Sequence, residues 1–337
     1  MERVSREYLR SDEPWYVGFS GGKDSTAVLK LVYSAMKRSP RHERQVVVVY
    51  CDTGVEIPPI AQHVRRTLAK LRAEASGDSL NLRVRVARPP RHDSFFVKII
   101  GRGYPPPTNK FRWCTDRLRI NPVTRVLRSC DNGAGTVVLG TRRGESVERD
   151  KVLARHQLRS RYFYSQGRAA RRVIFAPVAD FTTHDIWSCV LGLDRPRAVD
   201  AETLAGLYRD ADGECPMVRD EHGPPCGAGR FGCWTCTVIR RDRSVGSLIR
   251  EGYESLRPLR DFRDWLSQFR EDPRNRCRYR RNGQKGMGPF TLAARKKILA
   301  RLRQVERSVP WRLLPAGDVK LIHELWAQDR ACPEYRE

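Results

Sequence analysis

The apolar positions in the first half of the chain fall in short runs that alternate with helically spaced stretches. Trp15-Tyr16-Val17-Gly18-Phe19 predicts a first strand, and Ala27, Val28, Leu29, Leu31 and Val32 predict a helix soon after it. Gln45 to Cys51 contains four consecutive valines and reads as a strand buried on both faces. Asp52-Thr53-Gly54 follows at its carboxyl end, and a helical stretch runs around Ile60 to Leu71. Leu82 to Ala87 predicts a third strand, Thr136 to Gly140 a fourth, and Val173 to Pro177 a last one before a helix over Thr183 to Val190. This alternation predicts an α/β fold, a doubly wound, mostly parallel sheet with helices on both faces. Ligands bind such sheets outside the carboxyl ends of the strands. The segment after the first strand, Asp52 and the segment after Gly140 are therefore expected to converge on one crevice.

The pattern changes after about Asp194, where Gly, Pro, Cys and Arg become frequent and strand periodicity disappears between Asp212 and Arg230. From Leu248 onward apolar residues return at helical spacing (Leu256, Leu259, Phe262, Trp265, Leu266, Phe269, then Leu292, Ile298, Leu299, Leu302), with Asn282 to Pro289 as a connecting loop. Three parts are expected: a sheet domain over 1–194, a cysteine-rich region over 195–245 and a basic helical region over 246–337.

The first candidate chemistry is Ser20-Gly21-Gly22-Lys23-Asp24-Ser25-Thr26, between the first strand and the first buried helix. Glycines allow close backbone approach, the amides of a helix start point at an anion, and Lys23 adds a full positive charge. Ser20, Ser25 and Thr26 supply further donors, so the segment reads as a phosphate pocket. It is not the G-x-x-x-x-G-K-[ST] loop. The second candidate is Cys215, Cys226, Cys233 and Cys236, a C-x10-C-x6-C-x2-C set ending in Arg230-Phe231-Gly232-Cys233-Trp234-Thr235-Cys236. Four thiolates at this density suit a tetrahedral zinc site or an iron–sulfur cluster. Spacing alone leans toward zinc; packing by Phe231 and Trp234 would serve either.

Charge adds a partner class: 64 Lys plus Arg stand against 39 Asp plus Glu, a formal net of +25. Such a balance favours a polyanion, most simply nucleic acid, although heavy Arg usage can also be a general surface habit. Arg240, Arg241 and Arg243, and the run Arg278-Tyr279-Arg280-Arg281, are the basic patches, with Tyr279 placed to stack on a base. No apolar stretch is long enough to span a bilayer, and Met1 to Arg6 lacks the apolar core of a secretory signal. A cytoplasmic protein with no membrane partner is expected, in which ten cysteines stay reduced.

The Ser20-to-Thr26 loop resembles the SGGxDS loop of the PP-loop ATP pyrophosphatases, which split ATP into AMP and pyrophosphate. Further segments are similar to the adenylylsulfate and phosphoadenylylsulfate reductase-like branch: Asp52-Thr53-Gly54, Lys110 to Pro122 with its Arg112-Trp113-Cys114, Gly140-Thr141-Arg142-Arg143-Gly144-Glu145-Ser146, and Pro177 to Trp187. They cover about the first 190 residues in the family order. Within that branch, W-C-T-D-R-L at Trp113–Leu118 and R-F-G-C-W-T-C at Arg230–Cys236 resemble DndC-type DNA phosphorothioation proteins or the related single-strand phosphorothioation component.

That resemblance implies an adenine nucleotide alpha-hydrolase-like sheet and a four-iron four-sulfur cluster on Cys215, Cys226, Cys233 and Cys236, with zinc as the alternative. It implies ATP and Mg2+ as cofactors, DNA as acceptor, a cysteine desulfurase as sulfur donor, and other phosphorothioation proteins as partners. Lys23 and the loop amides would stabilise departing pyrophosphate, and Asp24 or Asp52 would hold magnesium. Arg142 and Arg143 would clamp phosphates, Glu145 would orient them, and Cys114 would carry sulfur outside the cluster. The competing readings are a sulfonucleotide reductase and a tRNA-thiolating PP-loop enzyme. The reductase tail, an E-C-G-x-H-like motif, is not matched by Cys332 to Glu337.

Overall fold

The computed structural model describes residues 1–39, 43–130, 134–144, 147–158, 160–165, 172–212 and 231–331. The chain opens with α1 (Glu2–Tyr8), β1 (Trp15–Gly18), α2 (Lys23–Arg38), β2 (Val46–Cys51), α3 (Pro58–Gly77) and β3 (Leu82–Ala87). It continues through α4 (Asn121–Cys130), β4 (Thr136–Val138), α5 (Val147–His156), β5 (Phe163–Ser165), β6 (Val173–Phe175) and α6 (Thr183–Gly192). The remaining elements are helices: α7 (Ala201–Asp212), α8 (Arg243–Arg250), α9 (Arg257–Glu271), α10 (Leu292–Arg307) and α11 (Ala316–Ala331).

The strands form one six-stranded sheet in the order β3-β2-β1-β4-β6-β5. All neighbours are parallel except β5, which pairs antiparallel with β6 at one edge. The valine run of β2 is buried throughout its strand partners' span, as a strand covered on both faces requires. Because β1 is flanked by β2 and β4, the strand order reverses at its carboxyl end, which is where open α/β sheets leave a crevice. The expected α/β, mostly parallel architecture is the observed one.

Local chemistry explains the neighbouring helices. Pro58 stands at the first turn of α3, where a missing N–H costs nothing. Thr182 and Asp185 form a reciprocal capping box that starts α6. Helix α2 is buried over almost its whole length, and its Lys30 ammonium donates to the carbonyls of Val190 and Leu193 at the end of α6, at 2.7 and 2.6 Å. One apolar core runs from Val4 through α2, α3, α6 and α7 to Trp326 in α11.

The C-terminal helices grip the segment that leads into the R-W-C motif. Trp326 Nε1 donates to the Ile100 carbonyl at 2.7 Å, and Arg295 of α10 donates to the Gly101 carbonyl and to Asp329, both at 2.6 Å. Both receiving residues, Ile100 and Gly101, lie in a π-helical turn over Val97–Gly101, and a second one over Thr115–Ile120 begins directly after Cys114. The expected loop over Asn282 to Pro289 is one arm of a narrow β-ribbon. It is bridged at Arg276–Phe290 and Tyr279–Lys285, and its tip turns where Gly283 N–H meets the Arg280 carbonyl at 2.9 Å.

Candidate functional site

The Ser20-to-Thr26 loop leaves β1 at the reversal point and enters α2 with Gly22 as the N-cap. Gly21 has a φ of +79°, and a Cβ there would lie 2.1 Å from Cγ2 of Val64 in α3, so only glycine fits. Gly140, beyond β4, lies against the first turn of α2: a Cβ on it would lie 2.7 Å from the Asp24 carbonyl atoms and 2.8 Å from Ser25 N. The loop is braced internally. Ser25 Oγ receives the Ser20 N–H at 3.1 Å and donates to the Gly22 carbonyl at 2.9 Å, while Gly22 N–H donates to Ser20 Oγ at 3.3 Å. Lys23 is buried, its ammonium 4.6 Å from the ring centre of Tyr208 and its backbone N–H donating to the Tyr208 hydroxyl at 3.1 Å. A positive side chain and a helix start therefore lie side by side, the electrostatic setting that holds an anion.

Asp24 in this loop and Asp52 at the neighbouring strand end are both held by arginine. Asp24 accepts from Arg142 Nε at 2.5 Å, and Arg142 also donates to the Phe181 carbonyl at 3.3 Å. Asp52, buried at the end of β2, accepts from Arg88 at 3.1 Å and from the Gly54 N–H at 3.2 Å, with Arg65 at 3.6 Å. Arg143 is drawn instead toward the β5 edge, donating to Asp180 at 2.9 Å and the Arg161 carbonyl at 2.7 Å. Of the two arginines, Arg142 is the one bonded to a loop residue. Glu145, Cys215 and Cys226 lie outside the described residues.

The C-x2-C turn is joined to the same sheet end. Glu56, just beyond Asp52, bridges to Cys233, and Trp234 N–H donates to the Val55 carbonyl at 3.0 Å. Cys236 N–H donates back to the Cys233 carbonyl at 3.0 Å, which folds the pair into one turn. Cys233 Sγ lies 3.6 Å from Arg119 and 3.8 Å from Thr53 Oγ1. Burial pushes the Cys233 thiol up to about 11 although Arg119 pulls it down, and burial pushes Cys51 up to about 12 with Glu56 adding to the rise. Cys114 is raised as well, first by burial and then by the nearby charge of Cys236. These thiols stay protonated at neutral pH unless a metal or a bound cation takes the proton's place. The turn fits two ligands of a metal or cluster; among the described residues no group of three or more candidate ligands is assembled.

A family model for the phosphoadenosine phosphosulfate reductase domain matches residues 14–238, more than half of the chain. The chain belongs to that family. An uncharacterized protein of Methanocaldococcus jannaschii is 24% identical over 153 residues, 43% of this chain. That match spans 26% of the relative's own length. Among solved structures, the fold is similar to a phosphoadenylyl-sulfate reductase of Candida auris in its phosphate complex. The TM-score is 0.37 and the identity 11%, over 57% of this chain and 78% of that one.

The matched region of this family member takes in both the glycine loop and the C-x2-C pair, and three residues near them were not legible in advance. Tyr208 of α7 reaches the Lys23 amide across 185 positions, yet in sequence it is one more apolar residue beside Leu204 and Leu207. Arg119 approaches Cys233 from the second π-helical turn. Arg263 lies on the buried face of α9 and donates to the carbonyls of Cys236 at 2.8 Å and Arg240 at 3.2 Å, and also to that of Ile239. An arginine at a core position of an amphipathic helix is the one signal that would have pointed to Arg263. Among the described residues no helix is long and apolar enough to cross a membrane.

Proposed function

We propose that the chain is an ATP pyrophosphatase that activates a backbone phosphate of DNA for exchange of one oxygen by sulfur. The observation that carries this reading is the junction of the two motifs. The C-x2-C turn is bonded to the Val55–Glu56 segment, at the same sheet end as the Lys23 loop and Asp52. That proximity supports the reading, since a sulfur-transfer reaction driven by ATP needs its nucleotide and its thiols close together.

In this scheme a non-bridging DNA phosphate oxygen attacks the α-phosphorus of ATP, the bond to the β-phosphate breaks, and pyrophosphate leaves into the glycine loop. Lys23 and the α2 amides stabilise the charge that collects there. Asp24 and Asp52, bonded here to Arg142 and Arg88, would hold a magnesium ion bound with ATP, and the two guanidinium groups would then be free to meet phosphate. A persulfide sulfur then attacks the activated phosphorus and AMP leaves with the original oxygen. A second thiol cleaves the sulfur–sulfur bond, and a dithiol reductant reopens the resulting disulfide. Cys114 is the proposed carrier because it stands directly before the π-helical turn that brings Arg119 to Cys233. A four-iron four-sulfur cluster on Cys215, Cys226, Cys233 and Cys236 supplies one-electron chemistry and a tether for this segment when bound. The partners are DNA, a cysteine desulfurase and other phosphorothioation proteins. DNA would meet the arginine ribbon, where Tyr279 is 60% exposed.

Nuclease digests of DNA treated with the desulfurase-charged system are expected to contain phosphorothioate-linked dinucleotides, detected by mass spectrometry. Cys114→Ala is expected to lower that yield by at least tenfold while ATP cleavage continues; full incorporation by the variant would remove Cys114 from the chemistry.

The second reading is reduction of adenylylsulfate or phosphoadenylylsulfate, which the family match itself favours.

A further inference from the structure

The hydroxyl of Tyr208 accepts from a backbone N–H at the start of α2. The N–H groups at the start of a helix have no intrahelical partner, and in a phosphate loop they are donors to the anion. In α2 the N–H of Thr26 is satisfied within the turn by the Gly22 carbonyl at 3.0 Å, whereas the N–H of Lys23 donates to the Tyr208 hydroxyl at 3.1 Å. The same hydroxyl lies 3.0 Å from where a Cβ on Gly22 would stand. The ring lies under the Lys23 ammonium, 4.6 Å from its centre, and Tyr208 is only 4% exposed. One side chain therefore contacts both the backbone N–H and the ammonium of Lys23.

Tyr208 also touches the thiol site. Its ring centre is 4.4 Å from that of Phe231, and Trp187 of α6 closes the other side edge-on at 5.4 Å. Phe231 is two residues before Cys233, in the segment fastened to the β2 end by the Trp234–Val55 bond. The aromatic pair is a side-chain connection from the glycine loop to the segment of the C-x2-C turn.

We propose that Tyr208 is a positioning residue that holds the place of a phosphate oxygen on the Lys23 N–H, yields it to pyrophosphate, and passes the displacement through Phe231 to the Cys233–Cys236 turn. This rests on the reading of Ser20 to Thr26 as a pyrophosphate site. The occupied loop and the thiol turn then change together, so the sulfur-handling segment responds to nucleotide without touching it.

Tyr208→Phe is the informative variant because it keeps the ring against Phe231, Trp187 and Lys23 and deletes only the competing oxygen. A neutral hydrogen bond contributes about 1 kcal/mol, so inorganic pyrophosphate is expected to bind the variant about fivefold more tightly by calorimetry. Hydrogen–deuterium exchange of the peptide spanning Phe231 to Cys236 supplies a second readout on the full-length holoprotein. Pyrophosphate is expected to change that exchange in the wild type and to leave it unchanged in Tyr208→Phe, where no hydroxyl has to move. Equal or weaker binding by Tyr208→Phe, or an equal exchange response in both proteins, overturns the proposal and leaves the pyrophosphate site intact. Absence of pyrophosphate binding in both proteins overturns the pyrophosphate site itself, and this inference with it.

Discussion

Gly21→Ala is expected to lower ATP cleavage by about 100-fold or more, the scale seen when a pre-set donor of an anion site is lost. Two independent penalties act on the same methyl group. The backbone at Gly21 has a φ of +79°, and a side chain in the left-handed region costs about 1–2 kcal/mol. The new Cβ would also lie 2.1 Å from Val64 Cγ2, and Val64 is 1% exposed on α3, so it has nowhere to retreat. The loop must therefore move, and with it the Ser20–Ser25–Gly22 bracing that aims the helix amides. Gly252 is the control. It too has a positive φ, +95°, but open space around its Cβ position and no place in the crevice, so Gly252→Ala carries the backbone strain alone. ATP turnover and thermal melting of the two variants separate the effects: a Gly21→Ala enzyme with near-normal turnover would contradict the assigned loop.

Cys233→Ser combined with Cys236→Ser is expected to remove nearly all bound iron and sulfide, and with them the brown colour of an anaerobic preparation. The two thiols leave from one turn, and a cluster does not keep its place on the remaining pair. Iron, acid-labile sulfide and zinc per chain are the measurements. A colourless wild-type protein that retains zinc would replace the cluster by a zinc site, with the same turn as its corner. Iron and sulfide retained by the double variant would place the ligands elsewhere.

The sheet was legible because parallel strands buried on both faces have to be written as apolar runs. Val46–Cys51 is such a strand, whereas the edge strand Leu82–Ala87 alternates apolar residues with the exposed Arg83 and Arg85, and the order of elements around the glycine loop follows from the alternation of strands and helices. Strand ends were less legible. The fourth strand stops at Val138, short of Gly140, because Gly140 is needed against α2 rather than in the ladder. The edge strand Phe163–Ser165 is three residues long, too short to display a period, and it exists through its pairing with β6. The ribbon tip behaves similarly: Asn282-Gly283 announces a turn, but the Tyr279–Lys285 bridge is a long-range consequence of how Arg276 and Phe290 pair.

At the site, motif residues announced their neighbourhood but not their bonds. Arg142 and Arg143 are adjacent in sequence, yet one meets Asp24 and the other Asp180. The chain turns at Arg143-Gly144, so the two neighbouring side chains are carried to different partners. Tyr208 was illegible for the opposite reason, since an aromatic at a core position of a helix carries no mark of the polar atom it serves.

In the proposed reaction this crevice splits ATP between the α- and β-phosphates for the benefit of a DNA phosphate. The most direct test is AMP and pyrophosphate release by the anaerobic holoprotein, supplied with a sulfur-charged cysteine desulfurase, with DNA, tRNA or adenylylsulfate added in turn. Equal amounts of AMP and pyrophosphate, raised by DNA and not by tRNA, are the expected result. Consumption of adenylylsulfate without ATP cleavage, or stimulation by tRNA alone, would contradict it.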